Sequence, residues 1–84
     1  MLLKRVSPVY PQQAIQMHIQ GLVSMHATVA KDGSVRNVKV MSGPATLARA
    51  ATEAVRQWKY RPYLLNGEPI EVQTDIKINF VPPK

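Results

Sequence analysis

Residues Leu22 to Met41 read LVSMHATVAKDGSVRNVKVM, and this stretch decides the fold. Val23, Met25, Ala27 and Val29 alternate with Ser24, His26 and Thr28, the two-residue period of a half-buried strand. Asp32-Gly33 follows, one of the strongest short-range signals for a hairpin, and Val35 to Met41 form the returning strand. With Asp32 and Gly33 as a two-residue turn, Ala27 faces Val38 and Met25 faces Val40, which gathers all four on one side of the sheet. A slip of one residue would set Met25 against Lys39 and scatter that apolar side.

Downstream, Ser42-Gly43-Pro44 breaks the strand and opens a helix. Leu47, Ala50, Ala51, Ala54, Val55 and Trp58 follow helical spacing, while Arg49, Glu53, Arg56 and Gln57 take the opposite side. The alanines permit close approach to a sheet, and Trp58 is expected to close the apolar stripe and be largely buried. Tyr60-Arg61-Pro62 ends the helix and Asn66-Gly67 is a turn. After Pro69, Val72, Thr74, Ile76, Ile78 and Phe80 alternate with Gln73, Asp75, Lys77 and Asn79 in a last strand. Upstream, Pro11 suits a first helical position, where the missing N–H costs nothing. That first helix is expected to run through Ala14, Ile15 and Ile19 and to stop near Gly21.

The topology has little freedom. The long helix carries the chain back along the second strand, so the last strand runs parallel to the second and can be antiparallel only to the first. The expected fold is α+β: a three-stranded antiparallel sheet in the order second, first, third, with two helices on one face. The last strand is then an edge with a row of unpaired backbone groups. Residues 1–84 are read as one domain, with an extended N-terminal segment over 1–9, a folded core over 10–81 and a tail over 82–84.

A chain of 84 residues supports a single small core. It has no cysteine, which excludes disulfides and thiolate metal sites. No run of about 18 apolar residues occurs, so any export or anchoring segment would lie outside this stretch. The formal net charge is +6, but the basic residues are scattered, with no run longer than Lys4-Arg5. His18 and His26 lack a third ligand near by, the acidic residues sit at turns or on polar faces, and no glycine lies in a phosphate-binding pattern. The expectation is a binding domain, not an enzyme, with no catalytic residue, metal or cofactor.

The ordered pieces Pro8-Val9-Tyr10-Pro11, Gln20-Gly21-Leu22-Val23, Asp32-Gly33-Ser34-Val35, Val38-Lys39-Val40, Ala54-Val55, Trp58-Lys59-Tyr60-Arg61-Pro62 and Ile76-Lys77-Ile78-Asn79-Phe80 resemble the TonB C-terminal domain family. The resemblance runs from Pro8 to Phe80, and Trp-x-Tyr-x-Pro after an alanine-rich helix is its most distinctive part. It implies the periplasmic domain of an inner-membrane energy transducer driven by a proton-powered motor complex. Such a domain grips outer-membrane receptors by pairing its last strand with an extended receptor segment, the TonB box. Carried onto this sequence, the partner-binding residues are Val72, Gln73, Thr74, Asp75, Ile76, Lys77, Ile78, Asn79 and Phe80. Pro8, Tyr10 and Pro11 join them, because enterobacterial members contact the receptor through Gln-Pro-x-Tyr-Pro. Ser7 stands here in place of that glutamine and cannot make the same amide hydrogen bonds. Tyr10-Pro11 serves equally well as a plain helix start. The family also implies that an isolated domain can dimerise by exchanging strands or pairing edges.

Two other readings stand beside this one. A TonB-like module could serve another envelope assembly, such as a Tol-type system or a sensor. A small basic nucleic-acid binder would want exposed aromatics interleaved with cations, and only Lys59-Tyr60-Arg61-Pro62-Tyr63 has that character. Specific nucleic-acid binding is therefore not expected.

Overall fold

The computed structural model describes residues 2–82; residues 83 and 84 of the expected tail lie outside the described residues. The element order is β1 (Leu2–Lys4), α1 (Gln12–Gln16), β2 (Gly21–Val29), β3 (Val35–Ser42), α2 (Ala45–Val55), β4 (Lys59–Tyr60), β5 (Tyr63–Leu65), β6 (Glu68–Ile70) and β7 (Val72–Phe80). The main sheet is antiparallel in the order β3-β2-β7, the α+β arrangement that the hairpin and the crossover helix dictate. Two short ribbons accompany it. In one, β1 pairs with β4; in the other, β5 and β6 form a hairpin closed by Asn66-Gly67. Residues 2–4 of the N-terminal segment are thus hydrogen-bonded to the stretch that follows α2.

The core lies on one face of the sheet. Val23, Met25 and Ala27 of β2, Val35 of β3, and Ile76, Ile78 and Phe80 of β7 pack against Ala14 of α1 and Leu47, Ala48, Ala51 and Val55 of α2. The α2 stripe contains Ala48 where the sequence periodicity placed Ala50, which stays half-buried at the stripe's margin. Val40 sits at the outer rim of β3 and keeps 39% of its surface in solvent; among the described residues no strand lies beyond it.

α2 ends at Val55, short of Trp58, and Lys59–Tyr60 form β4 where the sequence placed the end of the helix. Two further local geometries differ from the sequence expectation. First, α1 ends at Gln16, short of Ile19. His18 adopts a left-handed backbone (φ 56), and the N–H groups of Ile19 and His18 return to the carbonyls of Ala14 and Ile15 at 2.8 and 3.2 Å. This 6→1 and 5→2 pair is a Schellman stop; it satisfies the terminal carbonyls and turns Ile19 back onto the core.

Second, the β2–β3 turn holds three residues rather than two. Ala30 and Ser34 flank it, the N–H of Gly33 donates to the Ala30 carbonyl at 2.8 Å, and Gly33 takes the left-handed position (φ 89). Asp32 Oδ1 accepts from both the hydroxyl and the N–H of Ser34, at 2.6 and 2.9 Å, which stiffens the turn and holds the Asp32 carboxyl below its ordinary value. The extra residue shifts Val29 onto Val35 and Thr28 onto Arg36. A bulge then places Asn37 and Val38 together opposite Ala27, with Asn37 at φ 52, and Met25 meets Val40 as a two-residue turn would have set it. The buried face imposes the register, and the strand accommodates the longer turn by bulging.

Candidate functional site

The main sheet has two edges, and they differ. β3 pairs with β2 through register shifts at Asn37–Val38 and again at Met41, so its outer side is kinked twice. β7 pairs with β2 over nine consecutive residues, from Gly21↔Phe80 to Val29↔Val72, without a shift. Among the described residues nothing pairs with the other side of β7. Bulges spoil an edge as a template for another chain, and a long regular strand offers one.

Side chains along β7 follow the two-residue period. Ile76, Ile78 and Phe80 are buried in the core and Val72 and Thr74 are half-buried, while Gln73, Asp75, Lys77 and Asn79 are exposed. Of the N-terminal candidates, Tyr10 meets the Phe80 end of this strand. The rings of Tyr10 and Phe80 meet edge-to-face, with centroids 5.6 Å apart and an interplanar angle of 86°. The Tyr10 hydroxyl donates to the Ile19 carbonyl just past the α1 stop. Pro11 caps α1, its carbonyl accepting from the Ile15 N–H at 3.0 Å, and Pro8 is half-buried. Ser7 lies elsewhere, on a groove of about 560 Å³ between the N-terminal segment and the Arg49–Glu53 side of α2, which Pro11 also lines. Tyr10 therefore belongs to one surface with β7, and Ser7 does not.

The polar face of the sheet holds a cluster that periodicity alone does not reveal. His26 on β2 stands directly across from Asp75, with Nδ1 2.8 Å from Asp75 Oδ1 and Nε2 2.6 Å from Gln73 Oε1. Only the imidazolium donates from both nitrogens. The hydrogen bonds to Asp75 and then to Gln73 raise the His26 pKa above its ordinary 6.5, against the opposing charge of Lys39. A raised folded value means stability that is complete below 6.5 and is lost as pH rises through that folded value. The urea midpoint is thus expected to fall slightly from mildly acidic to mildly basic pH, and His26→Gln is expected to remove that slope. A wild-type midpoint that rose over this range would contradict the arrangement.

No group of three or more metal-ligating side chains occurs among the described residues. No helix of the described residues is long and apolar enough to cross a membrane. In the Lys59–Tyr63 stretch, the backbone of Lys59 and Tyr60 is engaged by β1, and desolvation raises the Tyr60 phenol above its usual range. That stretch is partly built into the fold and is not a free stacking platform.

Core, topology and open edge together define a small α+β domain with one regular edge strand whose outer side is unpaired among the described residues. The comparisons agree with that class. A family model described as Gram-negative bacterial TonB protein C-terminal matches residues 6–82, and the chain belongs to that family. It is 32% identical to the TonB protein of Vibrio cholerae over 78 residues, 90% of this chain and 32% of that protein. It is 35% identical to the TonB protein of Xanthomonas campestris pv. campestris over 75 residues, 87% of this chain and 34% of that protein. The chain thus spans about a third of the length of these curated relatives. Among solved structures, a TonB2 protein from Vibrio anguillarum superposes with a TM-score of 0.73 at 31% identity, covering 100% of this chain and 82% of that one. The TonB C-terminal domain of Pseudomonas aeruginosa shares the fold, with a TM-score of 0.81 at 24% identity over 100% of this chain and 87% of that one.

Proposed function

We propose that this domain is the periplasmic gripping end of a TonB-type energy transducer, and that it holds an extended segment of an outer-membrane receptor by adding it as a strand to the outer side of β7. In this reading the whole protein is anchored in the inner membrane, coupled to a proton-driven motor, and transmits force for substrate uptake; the domain binds and performs no chemistry. The observation that supports it is the nine-residue register of β7 on β2, unbroken on a strand whose other side is unpaired among the described residues. Backbone N–H and C=O groups along Val72–Phe80 supply the attachment, as in other strand-addition modes. Pro8, Tyr10 and Pro11 form the flanking contact at the Phe80 end.

Amide hydrogen exchange tests this directly. In the free domain, protection from Val72 to Phe80 should alternate, slow where the N–H faces β2 and fast where it faces outward. A receptor peptide should slow the fast set selectively, with smaller changes around Tyr10. Alanine at Gln73, Asp75 or Lys77 should weaken binding only modestly, since the backbone carries most of the attachment. New protection confined to Val35–Ser42 or to α2 would refute the reading. If the same amides become protected in concentrated free domain, a homodimer paired edge to edge competes with the receptor.

A further inference from the structure

Within β7 there is one acid, Asp75, and one base, Lys77, both on the polar face. They are not equally available. Asp75 is bound by His26, the one ion pair among the described residues, while Lys77 has no ion-pair partner there. Gln73, on the other side of Asp75, is held by the same imidazole. A strand added outside β7 extends each cross-strand row by one residue. One of its polar-face residues therefore sits beside Asp75, and another, two positions along, sits beside Lys77.

We propose that His26 sets the charge preference of the partner strand: its imidazolium offsets the charge of the exposed Asp75 through one carboxylate oxygen, Lys77 is left as the uncompensated charge an added strand meets, and an extended partner bearing a carboxylate on its polar face is preferred while His26 keeps its proton. This rests on strand addition at β7. The groups that face His26 are Asp75, Gln73 and Lys77 from β7 and Lys39 and Arg36 from β3, with Ser24 and Thr28 flanking it on β2. Lys39 disfavours the charged ring; Asp75 and Gln73 favour it and prevail. When the proton leaves, Asp75 offsets Lys77, the summed charge of His26, Asp75 and Lys77 falls from net positive to neutral, and the preference for an anionic strand relaxes. His26 acts here through Asp75, as a positioning residue, without touching the partner.

The test uses two peptides of the same length as β7, alternating valine and serine, with glutamate or lysine replacing serine at polar-face positions. With the peptides acetylated and amidated at their ends, both side-chain charges are constant between about pH 6 and 8.5, so only the domain titrates. Affinity of each peptide is measured across that range, and amide exchange on β7 confirms where it binds. The expected result is a preference for the glutamate peptide at about pH 6 that falls roughly two- to five-fold by about pH 8.5, the scale of a single cross-strand charge pair. In His26→Gln the ratio of the two affinities should be independent of pH. In Lys77→Gln the preference for glutamate should vanish at low pH, and His18→Gln should keep the wild-type pH dependence. A wild-type ratio constant with pH, or a pH dependence that survives in His26→Gln, overturns the inference. If both peptides protect β7 amides with no change in ratio, only the role of His26 fails. If neither protects β7, strand addition fails and this inference fails with it.

Discussion

Trp58→Ala is expected to lower the unfolding free energy by about 3–5 kcal/mol, the usual cost of truncating a large buried aromatic. The side chain is 7% exposed and belongs to the core cluster. It also reaches outside that core: its indole N–H donates to the Val6 carbonyl at 2.8 Å, and the Arg5 guanidinium lies 5.4 Å from the ring centroid. Truncation therefore leaves a cavity, orphans a carbonyl and removes one tie between the N-terminal segment and the core. For a domain whose total stability is on the order of 5–15 kcal/mol, that is a large fraction. Trp58→Phe refills most of the volume without a donor, so its cost relative to the wild type reports chiefly the hydrogen bond, about 1 kcal/mol, and the further loss in Trp58→Ala reports packing. Urea titrations of the three proteins measure both steps. A midpoint unchanged by Trp58→Ala would mean that the indole carries no packing energy.

Gly33→Ala is expected to cost roughly 2–4 kcal/mol, from left-handed backbone strain together with a lost cross-segment hydrogen bond. A Cβ built at Gly33 would fall 1.9 Å from the Tyr60 carbonyl oxygen, which is backbone and cannot rotate away. The Tyr60 N–H donates to the Gly33 carbonyl at 2.8 Å, so moving the turn aside breaks this bond and disturbs β4. Gly67→Ala is the control. Its backbone is also left-handed, at φ 82, but no atom lies within 4 Å of the added Cβ, so only the conformational part of the cost remains. Thermal unfolding of both variants should rank Gly33→Ala well below Gly67→Ala. Equal melting temperatures would show that the turn does not depend on its approach to Tyr60.

The Gly33–Tyr60 contact also gives a physical reason for two motifs that looked independent. Asp32-Gly33 reads as a turn and Trp58-Lys59-Tyr60 as the end of a helix. In the fold, the glycine is the site where the hairpin tip and the segment after α2 touch, backbone against backbone. Local propensity explains why a glycine suits a turn; the bare Cα facing Tyr60 explains why this turn accepts nothing larger.

The three strands of the main sheet, the two helices, the sheet order and the edge position of β7 were legible in the sequence because each follows from periodicity. The alternations around Met25 and Ile76 and the helical stripe from Leu47 to Trp58 leave one antiparallel arrangement that buries all three. The short strands β1, β4, β5 and β6 carry no period and came from pairing in the fold, and three further features were decided only by tertiary structure. The helix through Ile19 was cut at Gln16, because the Schellman turn at His18 depends on where Ile19 packs. The two-residue turn became three, because a bulge at Asn37 could absorb the difference and keep Met25 on Val40. His26 reads from its own strand as a solvated histidine, since a period of two reports which face a residue occupies and nothing about its neighbour across the sheet. That neighbour is Asp75, 49 positions away in the chain, and only the β2–β7 register brings the two together. Periodicity is local and assigns faces; pairing across long separations comes from burying one common core, and it alone sets which polar groups meet.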